Sequence, residues 1–404
     1  MGTDLDHSVK LHWGGSQPRS SGIRRNLPVV VTLLILGLSG FVTTANATTS
    51  TTSTTTQVAP HCGAPVSVDS LSVMQLVSQL IVPTINATSI GGASVISAAG
   101  YAGIMVSGSQ APANFSSKVA QLQAASLLQV PLYVMTDAEG GGVMRLANKL
   151  PSLPWAQTMG KWSTSHVQST ASSLGAALKS LGINMDLAPV ADVDGRSQFP
   201  SALNPDGLRS FSGDPRTVGR DSVSFAKGLI SHGVVPAAKH FPGIGFSSRN
   251  SDYGPAKTKS WAALQLSGLV PFRALISSNI PVIMMSNNSV PGFTSLPASL
   301  SPALYSYLRD SLNFSGLTIT DSLSAGAISA LHIGLSEASV QAVIAGANLV
   351  LLGNSSTVAQ AMSNANAARA TLTLAVRSGR LPLSVLRNSA QAVLNAKQSQ
   401  FCSN

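Results

Sequence analysis

Apolar residues in this chain gather in short, near-continuous runs rather than at alternating positions. The runs are VSQLIVP (77–83), GIMVS (103–107), LYVMTD (132–137), NMDLAPV (184–190), VVPAAKHF (234–241), PVIMMSN (281–287), LTITD (317–321) and NLVLLG (348–353). Continuous runs of this kind mark parallel strands covered on both faces, because a strand with one wet face would alternate. Between them lie amphipathic stretches such as SSKVAQLQAASLLQ (116–129) and TVGRDSVSFAKGLISHG (217–233), with Gly and Ser where helices would end. Strands alternating with helices in this number predict an α/β fold, a (β/α)8 TIM-type barrel with loop insertions. A doubly wound open sheet is the alternative, weakened because no G-x-G-x-x-G turn follows an early strand. The run Gly140-Gly141-Gly142 is expected to form a tight turn from strand to helix.

Polar residues collect at the C-terminal ends of these runs. Asp137 ends the third, Lys239 and His240 the fifth, Asn287 the sixth and Asp321 the seventh. In a barrel such ends open onto one face, where catalytic groups sit. A single Asp there is as readily a helix cap. Lys and His are poor caps, so capping does not explain the fifth run.

The first 60 residues have a different character. Arg24 and Arg25 precede the apolar run LPVVVTLLILGLSGFV (27–42), and Ala45-Asn46-Ala47 follows it. This is the layout of a secretory signal, with some likeness to a twin-arginine leader. Its 16 residues are short of the roughly 20 a membrane span needs. Residues 1–47 are therefore expected to be an export signal, or a signal anchor if the leader stays uncleaved. The tract TTSTTSTTTQ (48–57) cannot form a core and opens a Ser/Thr-rich linker at 48–60. Residues 61–404 then form the folded domain.

Composition narrows the partners. Of 404 residues, 44% are hydrophobic and only 10% charged, and the net charge is +10. The basic residues are scattered rather than grouped, which argues against a nucleic-acid groove. Cys62 and Cys402, the only cysteines, bracket the folded region. Two thiols so spaced make no metal site. In an exported protein they are expected to form a disulfide, since closing a barrel brings its first and last strands together.

Five segments carry a family likeness. TDAEGGGVMRL (136–146) resembles the D-Q-E-G-G-R-V-x-R-L segment of glycoside hydrolase family 3, and INMDLAPVADV (183–193) its N-F-A-P-V-x-D-V strand. RSFSGDP (209–215) is similar to R-S-F-G-x-D-P, AKHFPG (238–243) to K-H-F-P-G-H-G, and ITDSLSAGAI (319–328) to T-D-D-L-x-M-x-A-I. They occur in family order, and the length resembles the single-domain β-N-acetylglucosaminidase branch.

The resemblance implies an exported retaining glycosidase acting on β-linked sugars, N-acetylhexosaminides foremost, through a covalent glycosyl-enzyme. Asp321 matches the nucleophile, which must be ionised; cationic neighbours such as Lys239 are expected to lower its pKa. Asp137, Arg145, Arg209, Lys239 and His240 match positions that grip sugar hydroxyls. The implied partner is a carbohydrate, a glycan or a cell-wall amino sugar, bound by a monomer with no cofactor and no metal.

One element of the family pattern is replaced. Where the branch continues with an Asp–His acid/base dyad, this chain has Asn250 for the Asp, Asp252 for the His and Ile244 for a nearby His. Gly142 replaces an Arg and Ala138 a Gln. Two readings follow. Asp252 is a carboxylic acid donor, or the acid is lost and the chain is a glycan-binding pseudoenzyme of the same fold.

Overall fold

A computed structural model describes residue 62 and residues 65–402. The expected export signal at 1–47 and the linker at 48–60 lie outside the described residues. Among the described residues no helix is long and apolar enough to cross a membrane.

Eleven strands are described: β1 (Ile81–Val82), β2 (Thr84–Asn86), β3 (Gly103–Ser107), β4 (Tyr133–Thr136), β5 (Ala138–Gly140), β6 (Val143–Met144), β7 (Met185–Asp186), β8 (Val235–Phe241), β9 (Val282–Met285), β10 (Leu317–Thr320) and β11 (Val350–Leu351). Seven form one parallel sheet in the order β10-β9-β8-β7-β4-β3-β2. Hydrogen bonding continues beyond both of its edges. Ile319 in β10 bridges Leu349, just before β11, and β11 pairs in parallel with β1, which leads into β2 across Pro83.

Neighbouring residues on a strand enter different cores. Met105, Met135 and Met284 join a cluster on the inner face of the curled sheet, whereas Ile104, Val134 and Ile283 join the larger cluster beneath the helices. Both faces are apolar, which is why the runs do not alternate. The helix at Pro215–Ile230 starts where Asp214 accepts from the Thr217 N–H at 3.0 Å and Pro215 occupies the first turn. The helix at Phe115–Ala124 stops before the expected 129, and the Gln123 amide then brackets Leu132 through both its N–H and its C=O.

Two expectations need correction. The first run starts inside a helix, Val73–Ser78, and becomes strand only at Ile81; Pro83, with no N–H to give, then interrupts the pairing. The glycine run is not a strand-to-helix turn but the tip of an antiparallel hairpin, β5–β6. Gly141 sits at φ +56° against the Trp155 ring, which a Cβ would meet at 2.1 Å.

The last helix, Leu383–Phe401, packs its C-terminal end against the start of β4. Val393 and Phe401 pack onto the inner cluster, and the Phe401 ring lies 5.5 Å from that of Tyr133, edge to face. The Tyr133 hydroxyl donates to Gln400 Oε1 at 2.9 Å. The expected disulfide joins Cys62 to Cys402, with Cα atoms 5.6 Å apart.

Lys397 in this helix is 1% exposed, and its Nζ donates to Gln79 Oε1 at 3.1 Å. The Tyr133 ring lies 5.5 Å from it and favours the cation. Among the described residues no carboxylate is paired with it, and desolvation pulls its pKa down to about 7. Between that value and 10.5 the unfolded chain holds a proton that the folded chain has released. Stability therefore rises with pH across this window, and below it the burial cost is present in full. Lys397→Met is expected to stabilise the protein by about 2 kcal/mol or more at pH 7. The advantage should shrink by pH 10 in guanidinium titrations; a constant or negative difference would contradict the assignment.

Candidate active site

Following the strands to their C-terminal ends leads to a cavity of about 550 Å³. Asp137, Arg145, Arg209, Lys239, His240, Asp252 and Asp321 all line it. These groups come from the ends of β4, β8 and β10, from just after β6 and from the short 3-10 helices Gly207–Arg209 and Ser251–Tyr253, and the curled sheet brings them together.

At its base lies a cation–carboxylate network. Lys239 Nζ contacts Asp137 Oδ1 at 2.5 Å and Glu139 Oε1 at 2.6 Å. Arg209 grips Glu139 with Nε and Nη2, both at 2.8 Å, and donates through Nη1 to the Pro205 carbonyl at 2.8 Å. Burial alone would raise the Glu139 pKa, but the two cations outweigh it and hold the carboxyl well below the usual range. Lys239 is raised in turn, its burial offset by Asp137 and Glu139. Deleting Glu139 would leave Arg209 and Lys239 short of their shared anion. Glu139→Ala is therefore expected to cost about 3–5 kcal/mol in urea unfolding; a loss below about 1 kcal/mol would show the network to be dispensable.

His240 is held by Asp192. The Asp192 carboxylate lies 2.7 Å from His240 Nδ1 and accepts the backbone N–H of His240 at 3.2 Å and of Ile244 at 2.8 Å. With Nδ1 so engaged, Nε2 is the ring nitrogen near Arg209 Nη2, at 3.5 Å. Asp186 beneath the site accepts from the Ala138 N–H at 2.9 Å, and burial pushes its carboxyl up to about 7. Arg145 has a buried Nε with no hydrogen-bond partner among the described residues.

Asp321 follows β10, and its Oδ1 accepts the Ser322 N–H at 2.7 Å. Contrary to the expected lowering, its pKa is raised. Desolvation is the largest cause; His240 opposes it, Asp252 adds to it, and Lys239 contributes least of these. The Lys239 charge is already committed to Asp137 and Glu139, so little of it reaches Asp321.

Asn287, expected at the mouth, does not line the cavity. Its Nδ2 donates to the Ser322 carbonyl at 2.7 Å and its Oδ1 accepts from Ser299 at 2.6 Å, which braces the loop after Asp321. Asn250 does line it, and its Oδ1 accepts the Asp252 N–H at 2.9 Å. Glu139 and Asp192 went unassigned in the sequence, although both lie inside quoted family segments. Glu139 stands two residues after Asp137, the spacing that returns an extended chain to the same face.

The chain that builds this site has known relatives. The Glycosyl hydrolase family 3 N terminal domain matches residues 72–396. The chain belongs to glycosyl hydrolase family 3. This family 3 glycoside hydrolase is 31% identical over 393 residues to "Beta-hexosaminidase LpqI" of Mycobacterium tuberculosis, covering 94% of this chain and 97% of that one. It is 31% identical over 240 residues to a "Beta-hexosaminidase" of Nitrosospira multiformis, covering 57% of this chain and 67% of that one. Among solved structures it resembles a β-N-acetylhexosaminidase from Beutenbergia cavernae, with a TM-score of 0.73 and 28% identity over 81% of this chain and 98% of that chain.

Proposed function

We propose that this glycoside hydrolase is an exported retaining enzyme that cleaves β-linked N-acetylhexosaminides, with Asp321 as nucleophile. The observation that carries the reading is Asp321 at the end of β10, lining one pocket with Asp252 and close enough to be perturbed by its charge. Glycoside hydrolysis by retention or inversion uses two carboxyls in one pocket, and the family 3 match supports retention. The substrate class is supported by the hexosaminidase names of the relatives. Asp137, Arg145, Arg209, Lys239 and His240 are positioned to hold the sugar whose bond is cut.

In the first step the Asp321 carboxylate bonds to the anomeric carbon as the glycosidic C–O bond breaks, and the Asp252 carboxyl gives its proton to the departing oxygen. In the second, Asp252 takes a proton from water, whose oxygen replaces Asp321 at the anomeric carbon. Edge bonding through Leu349 and through β1–β11 supports a closed (β/α)8 barrel, the architecture in which strand ends converge on such a pocket. The Cys62–Cys402 disulfide supports export, with 1–47 as signal or signal anchor and 48–60 as linker.

A glycan-binding pseudoenzyme is the second reading. It is favoured by one contact: Asn250, standing where the dyad carboxylate is expected, spends its side-chain oxygen on the Asp252 backbone. A pH series on aryl N-acetyl-β-glucosaminides and aryl glucosides with the folded region decides between them. Turnover of the amino sugar supports the enzyme; glycan binding without turnover at any pH leaves the binder.

A further inference from the structure

A run of buried hydrogen bonds reaches the loop of Asp321 from behind, and Asn287 is its last side chain. Asn287 is 1% exposed and stands two residues beyond the end of β9. Its partner Ser299 lies in the short 3-10 helix Ala298–Leu300. The Ser299 N–H donates to the Ser286 carbonyl at 2.8 Å, and the Ser299 carbonyl accepts from the buried Tyr305 hydroxyl at 3.1 Å. Ser299 is thus fixed through both of its backbone groups. Its hydroxyl in turn fixes the Asn287 amide by donating to Oδ1 at 2.6 Å. The amide Nδ2 donates to the Ser322 carbonyl at 2.7 Å, and the Ser322 N–H donates to Asp321 Oδ1, also at 2.7 Å. The Ala325 N–H reaches the same Ser322 carbonyl at 3.1 Å.

An amide suits this place because it accepts at one end and donates at the other. One side chain therefore passes the orientation of a rigid helix to the loop after β10. We propose that Asn287 is a positioning residue for the nucleophile, holding Ser322 so that its N–H fixes which oxygen of Asp321 faces the sugar. This rests on the reading of Asp321 as nucleophile. With Oδ1 held, Oδ2 is left to bond the anomeric carbon. A loop free to turn the Ser322 N–H away would let the carboxylate rotate, which costs alignment rather than affinity for the sugar. The same N–H stabilises the ionised carboxylate, as do His240 and Lys239 on β8, whereas burial and Asp252 oppose it.

In Asn287→Ala, kcat for an activated aryl N-acetyl-β-glucosaminide is expected to fall about 10²-fold with KM nearly unchanged. The acid limb of the kcat/KM profile should move to higher pH, because the carboxylate has lost its N–H donor. Ser299→Ala leaves the amide donor in place and frees only its far end, so both effects should be smaller and in the same direction. Should Asn287→Ala fail to fold, Ser299→Ala decides. An unchanged kcat, a change in KM alone, or a lowered kcat with the acid limb unmoved overturns the proposal. A second readout needs no turnover. In protein isotope-labelled at the aspartate carboxyl carbons, the resonance that Asp321→Asn removes is followed against pH by NMR. Its midpoint is expected to rise in Asn287→Ala, and an unmoved midpoint overturns the proposal. If the native chain hydrolyses no aryl glycoside, or Asp321→Asn stays active, the nucleophile reading fails by itself. The carboxyl titration then still decides whether Asn287 holds the Ser322 N–H on Asp321.

Discussion

Asp321→Asn is expected to lower turnover of an activated aryl N-acetyl-β-glucosaminide by about 10³-fold or more, because an amide is a far poorer nucleophile than a carboxylate. The fold should survive the change. Burial raises the Asp321 pKa, so between the unfolded and folded values the native state keeps a proton that the unfolded chain has lost. Stability from this group thus falls as pH rises through that interval, and the neutral Asn removes the cost. Lost activity with equal or greater stability in urea is the expected pair of results. The same shift places the acid limb of the native kcat/KM profile above the ordinary Asp value of about 3.9. Retained activity in Asp321→Asn, or an acid limb below that value, would remove Asp321 from the nucleophile's role.

The second large effect concerns the proton. A phenol of low pKa departs with little help, whereas a sugar or alkyl alcohol needs a donor. If Asp252 is that donor, Asp252→Asn should slow disaccharide or alkyl glycoside cleavage by about 10²–10⁴-fold and activated aryl glycosides far less. If the acid has been lost, the substitution should change little. In that case the double change Asn250→Asp with Asp252→His should raise turnover of alcohol-leaving substrates. Equal losses on both substrate types would assign Asp252 to substrate binding instead.

Much of this site was visible in the chain because strand ends concentrate it. Lys239, His240 and Asp321 stood out since charge at the end of an apolar run is hard to place otherwise. Their partners were not visible, because pairing is long-range: Asp192 meets His240 across 48 positions, and Lys239 meets Asp137 across 102. The Asp321 shift was misjudged for the same reason. Sequence suggests Lys239 as a neighbour of Asp321 but does not show that two other carboxylates, Asp137 and Glu139, pair with it. The glycine run failed differently. Three glycines permit many turns, and Trp155, fourteen positions beyond Gly141, fills the space that makes one of them a hairpin tip. Strand existence was legible from apolar runs, but strand length was not. β7 spans two residues inside a seven-residue run, since only Met185 and Asp186 find ladder partners on both sides.

The disulfide gives the molecule an orientation. Cys62 is clamped to Cys402 beside Phe401 and Tyr133, at the N-terminal ends of the strands, whereas Asp321 and the pocket stand at the opposite ends. Reduction of the disulfide is therefore expected to loosen the end of the body opposite the pocket before it reaches the strand ends that carry Asp321.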